Sequence, residues 1–168
     1  MKLSELMKGI TPNEQYEGWA TNDDYVLAID TGKTGEASSE ADYEVVQMGI
    51  SGLDSQMNPI TTDKTYIRAG QSTMKTGNQR SFKVSGDRYV GDAAQDFMLS
   101  HAIKYGTGNN VVVPYVYFCI LNGKGEKGKV TIIVNSDGSG NAGESSSVDI
   151  ELKKSGDTPK EYTYSASA

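Results

Sequence analysis

Hydrophobic and polar positions fall into short alternating runs along most of the chain, with one longer helical pattern set among them. The pattern lies within residues 81–106, which read as a strand, a glycine-bearing turn and a helix over about 92–105. Ala93, Phe97 and Ile103, with Ala94, Met98, Ala102 and Tyr105 beside them, form an apolar stripe wide enough to pack on a sheet. Asp92 is placed to cap the first turn, Lys104 sits in the last, and Gly106 suits the left-handed residue that ends a helix. The expectation is one helix of about four turns, roughly 21 Å long, with Phe97, Met98 and Ala102 as its core contacts.

Around that helix the period is two. Strands are expected at 25–30, 43–50, 60–69, 80–89, 111–121, 129–135 and 147–153, with a weaker one at 162–164. Residues 147–153 alternate cleanly, Val148, Ile150 and Leu152 against Asp149, Glu151 and Lys153. Residues 111–121 are apolar on both faces and therefore covered on both, with Pro114 marking an edge or a bulge. The segments 43–50 and 60–69, joined by the turn-rich 51–59, are expected to pair as a long polar hairpin. Leu3, Leu6, Met7 and Ile10 have helical spacing, so a short helix that needs docking competes with a frayed terminus. Trp19 reads as core or as an interface anchor, and residues 31–41 as a polar loop. Together these describe a mainly β chain. A β-sandwich or partly rolled barrel carries one packed helix and a long hairpin insertion, in a single domain over 1–168 with an N-terminal arm at 1–20 and a C-terminal tail at 154–168.

Composition narrows the function classes. The chain has 168 residues and a net charge of -6, with 16 Lys and Arg against 22 Asp and Glu. That balance argues against a nucleic-acid-binding surface. No run approaches the roughly 20 apolar residues of a membrane span, and Glu5 and Lys8 interrupt the N-terminal apolar positions, so no signal peptide is expected. His101 is the only histidine and Cys119 the only cysteine, which leaves a zinc site or a histidine-based triad without its residues. Cys119 sits in the most apolar strand, as a small core residue does, and Asp23 and Asp24 lie in a loop. Gly32-Lys33-Thr34 lacks the earlier glycine of a phosphate-binding loop, because position 27 is leucine. Residues 133–144 place Asn135, Asp137, Gly138, Asn141 and Glu144 as in a calcium loop, but open on Ile133 where an aspartate is needed, and turn chemistry explains the same residues. No enzyme activity, metal or cofactor is expected.

The order of polar hairpin, SFKVSGDRYVGDAAQDFMLSHAIKYG, and a later NGKGEKGKVTIIVNSDGSGNAGESSSVDIEL resembles the major tail tube proteins of long-tailed bacteriophages, over residues 43–152. The resemblance implies a structural subunit that forms six-membered rings, stacked into a hollow tube through which DNA passes without specific binding. It implies contacts with other copies of the chain, with tail tip or terminator and with tape-measure proteins, in a virion whose parts are made in the bacterial host cytoplasm. Under that reading Asp54 and Asp63 are candidates to face the channel. The competing reading from the residues is a monomeric β-sandwich binding module, for example for carbohydrate, because fold does not decide function.

Overall fold

The structure, a computed structural model, describes residues 1–32 and 39–165. Its body is one eight-stranded antiparallel sheet built from β1 (Tyr25–Ile29), β2 (Glu44–Val45), β3 (Ile50–Gln56), β6 (Ser81–Asp87), β7 (Val112–Cys119), β8 (Lys124–Ser136), β9 (Ser147–Lys154) and β10 (Lys160–Thr163). The strand order is β2-β1-β7-β8-β9-β6-β3, with β10 paired to the first residues of the long β8. Two further strands, β4 (Pro59–Tyr66) and β5 (Gly70–Asn78), pair only with each other.

The sheet curls into a half-barrel. Tyr117 on β7 and Phe82 on β6 stand three strands apart in the sheet order, yet their ring centroids are 5.0 Å apart. The Tyr117 hydroxyl reaches Ser55 on β3, one strand further, at 3.1 Å. Inside the curl lie Leu27, Ile29, Val113, Tyr115, Val130, Ile132, Phe82, Val84, Ile150 and Leu152, all buried. These residues alternate with outward neighbours along every strand, as a period of two requires. The clean alternation of β9 reads directly: Val148, Ile150 and Leu152 are buried and their neighbours are not.

β1 and β7 are buried on both faces. Val26, Ala28, Val116 and Phe118 point outward into a second apolar cluster, covered by Leu3 and Met7 and by Tyr162 and Tyr164. The N-terminal segment is thus docked rather than frayed: α1 (Leu3–Leu6) is one turn, held by Leu3 with no exposed surface and by the backbone bond from Leu3 N to Tyr43 O, 2.8 Å. β10 and the residue after it dock beside it, the Tyr162 ring 5.7 Å from Phe118 and Tyr164 stacking on Phe118 at 5.5 Å. Pro114 lies in the end of β7 that has no β1 partner, a local edge of the sheet, and not at a bulge. β7 lies between β1 and β8, and Pro114 falls one residue past the last β1 pair, Ile29 with Tyr115, so its missing N–H marks where β1 pairing ends. The carbonyl of Pro114 still accepts from Asp30 N at 3.0 Å.

The expected continuous helix is two short ones, α2 (Ala93–Met98) and α3 (His101–Lys104). Ser100 has extended backbone, ψ 153, which resets the phase of the stripe. Ala94, Met98, Leu99 and Ile103 therefore face the core, whereas Ala102 and Tyr105 are exposed and Phe97 is half-buried against the cluster. Asp92 caps α2, its carboxylate accepting from Gln95 N at 3.1 Å. Gln95, a polar residue among apolar ones, is 1% exposed. Its amide donates to Met48 O and Asp87 O at 2.7 and 3.0 Å, and its oxygen accepts from Tyr89 N at 3.0 Å. Gln95 thus ties the helix to the loop before β3 and to the end of β6.

Candidate assembly surfaces

The feature that stands apart from the body is the β4–β5 hairpin, a two-stranded arm roughly 25 Å long at the usual rise per strand residue. It rises from the paired β3 and β6. The register there predicts its direction: Gln79 N donates to Met57 O at 2.9 Å, and Asn58, with φ 46, turns the chain between β3 and β4. The Asn58 amide donates to Gln79 O and Ser81 Oγ at 3.1 and 2.8 Å, so the root is stitched across both strands. Every residue of β4 is exposed. The expected hairpin partners were 43–50 and 60–69. Instead, 50–56 belongs to β3, 43–49 holds only the two-residue β2 and a loop, and β4 pairs with β5.

The arm has two different sides. By register, Ile60, Thr62, Lys64 and Tyr66 share a side with Ser72 and Met74, while Thr61, Asp63 and Thr65 share the other with Gln71, Thr73 and Lys75. Ile60, Tyr66 and Met74 are each about half exposed or more, and Ile67 at the tip is 89% exposed. An isolated two-stranded hairpin is marginal in water, so an apolar side left open is a surface awaiting a partner. The tip closes through Arg68, φ 65, and Gly70, φ 75, which carry the left-handed turn.

At the arm's root the open mouth of the half-barrel is held by Arg80. Its Nε lies 2.5 Å from Glu126 Oε1 on β8, and its guanidinium covers the rings of Phe82 and Tyr117 at 4.6 and 5.1 Å. Beside it a groove of about 400 Å³ is lined by Tyr25, Met57, Tyr117, Lys124, Pro159 and Glu161 among others. Burial holds the Tyr115 and Tyr117 phenols above the ordinary tyrosine value, and the Glu126 charge adds to the effect at Tyr115.

A second exposed surface is the segment that runs from the β7–β8 turn, where Asn13 N donates to Leu121 O at 2.9 Å, to the edge strand β3, where the Asn22 amide donates to Leu53 O at 3.2 Å. Trp19 lies on it and is 97% exposed, so it is no part of the core.

Asp54 is exposed on the outer side of β3, opposite Lys83, which in turn faces Glu151. Its row is therefore of mixed charge. Asp63 lies on the threonine side of the arm and accepts from Thr73 Oγ1 at 2.7 Å. Both are strand residues rather than turn residues, and the fold does not bring them together with Phe97, Met98 and Ala102 in one site. Lys33 and Thr34 of the glycine-lysine-threonine run lie outside the described residues. Glu144 of the calcium-like run accepts from Asn141 N at 3.1 Å, a turn contact. Among the described residues no group of three or more His, Cys, Asp or Glu is placed to hold a metal ion, and no helix is long and apolar enough to cross a membrane.

Neither a family model nor a curated protein matches the sequence. Solved structures do match the fold. A chain from the tail of an empty gene transfer agent (GTA) particle, determined with helical refinement in C6 symmetry, aligns with 87% of this chain and all of its own length, at 15% identity and a TM-score of 0.57. A chain of the native gene transfer agent virion aligns with 88% and 100%, at 13% identity and a TM-score of 0.54. The tube-terminating cap of the anti-feeding prophage aligns with 89% and 94%, at 12% identity and a TM-score of 0.53. The half-barrel with its short helices is a fold shared with these chains of phage-like tails and of a tube cap.

Proposed function

We propose that this chain is a structural subunit of a phage-like tail tube. Copies assemble into rings, six-membered as the resemblance implies, that stack around a channel for DNA. The observation that carries the reading is the β4–β5 arm: a well-packed tail-tube body bears an amphipathic hairpin with every β4 residue exposed. A chain that worked alone would leave Ile60, Tyr66, Ile67 and Met74 in water for no return. The partners under this reading are other copies of the chain, terminator or tip proteins at the tube's ends and a tape-measure protein within it. The location is the tail of a virion assembled from parts made in the host cytoplasm. Asp54 and Asp63 keep their candidacy for the channel wall.

Sedimentation velocity across a concentration series tests this. Growth from monomer to rings and longer species supports the tube, and loss of that growth on replacing Ile60, Ile67 and Met74 together with serine places the contact on the arm. A strict monomer at the highest concentration overturns the proposal and leaves a binding module, whose ligand would then be sought in the groove beside Tyr25.

A further inference from the structure

The arm and the Trp19 segment are opposite in charge. Between Pro59 and Asn78 the chain carries Lys64, Arg68 and Lys75 against the single Asp63. Residues 13–24 carry Glu14, Glu17, Asp23 and Asp24 and no lysine or arginine, in a chain whose net charge is -6. Lys64, Arg68, Lys75, Glu14, Glu17 and Asp23 are all exposed, and among the described residues none of them forms an ion pair. Each surface also presents an aromatic or aliphatic anchor with no cover: Tyr66, Ile67 and Met74 on the arm, Trp19 and Tyr16 on the segment.

Resting on the tube reading above, we infer that the arm of one copy docks on the Trp19 segment of a neighbouring copy, apolar side on indole, with Lys64 of that same side and Arg68 at the tip on carboxylates and Lys75 on the opposite side left out. A contact between two different patches of identical chains is head-to-tail, and such contacts either close into rings or propagate along an axis. Opposite charge fixes the register and speeds encounter, while Trp19 supplies the buried anchor that aromatic residues commonly provide at interfaces. The segment is positioned for this from both ends, by Asn13 on Leu121 and by Asn22 on Leu53. Asp24 is committed within it, accepting from Thr21 N at 2.8 Å, and is left out of the contact.

Charge reversal tests the pairing. One variant carries Glu14→Lys, Glu17→Lys and Asp23→Lys; a second carries Lys64→Glu and Arg68→Glu; a third carries all five. Each reversal alone is expected to raise the concentration needed for assembly at least about tenfold at low salt, and the combined variant to bring it back to within about threefold of the unaltered chain. Circular dichroism confirms that each variant folds. Trp19, the only tryptophan, gives a readout without any substitution: its emission is expected to shift to the blue when the unaltered chain assembles. Assembly with an unshifted Trp19, or reversals that neither weaken assembly nor rescue each other, overturns this inference and leaves the tube reading standing. An unaltered chain that never assembles overturns both.

Discussion

Arg80 and Glu126 close the mouth of the half-barrel, Nε to Oε1 at 2.5 Å, from the first residue before β6 to the third residue of β8. The pair sits where the arm leaves the body, so it fixes the arm's root to the sheet. Its side chains keep 12% and 23% of their exposure, so breaking it costs less than the 3–5 kcal/mol of a fully buried pair. Glu126→Gln is expected to destabilise the chain by about 2 kcal/mol in chemical denaturation. Adding Arg80→Met is expected to recover most of that loss, because no charge is then left unpaired. A double variant no better than the single one would mean that Arg80 stabilises through its rings, Phe82 and Tyr117, alone.

The body and the arm separate energetically. Leu3→Ala empties a fully buried site under α1 and is expected to cost about 3 kcal/mol. Ile67→Ser at the arm tip is expected to change the stability of the free chain by less than about 0.5 kcal/mol while weakening assembly. Thermal melts of dilute protein read the first effect, and sedimentation reads the second. Equal melting shifts for the two variants would place the tip inside the folded body.

Alkaline pH tests the outer cluster. Burial, with help from nearby carboxylates, pushes Tyr43 and Tyr162 up to about 12 from the ordinary 10.0. An acid whose value is raised by folding stays protonated in the native state while the unfolded state ionises, so stability is intact below pH 10 and falls as pH rises toward 12. The part of the phenolate absorbance that is lost on replacing Tyr43 and Tyr162 with phenylalanine is expected to appear late and together with unfolding, and Tyr43→Phe to flatten the loss. A phenolate titration complete by pH 10.5 in the folded chain would contradict the packing of α1 and β10 on this face.

The channel candidates give a charge test. DNA carries one negative charge per about 1.7 Å of axis, and screening confines repulsion to about 8–10 Å at ordinary salt. Replacing Asp54 and Asp63 together with lysine is expected to leave assembly intact and to slow DNA ejection, most at low salt. Ejection at the normal rate at every salt concentration would remove both residues from the wall.

Much of the body is legible in the sequence because one face of each strand is buried. Val148, Ile150 and Leu152 declare β9, and the apolar 111–121 declares a strand covered on both sides. The arm is where that signal fails. β5, GQSTMKTGN, has no buried face, so nothing in its apolar spacing marks it as a strand. β3 begins at a register shift beside Gly52, which interrupts the alternation. The helix boundary fails for a local reason: only the extended Ser100 breaks a stripe that reads as continuous from Ala93 to Tyr105. Gln95 gave no apolar signal at all, since its burial depends on three backbone partners, two from the nearby end of β6 and the residues after it and one, Met48 O, from a distant loop. The assembly surfaces were half-visible. Trp19 reads in the sequence as core or as an interface anchor, and the exposure that removes the core reading is a property of the fold.

Electron microscopy of the assembled protein, viewed along and across its axis, tests the central claim most directly. The account predicts closed rings stacked into a hollow tube, with density for residues 59–78 of each copy lying on a neighbouring copy. Tubes whose arms extend freely into solvent, or a sample that remains single particles of one chain, would contradict it.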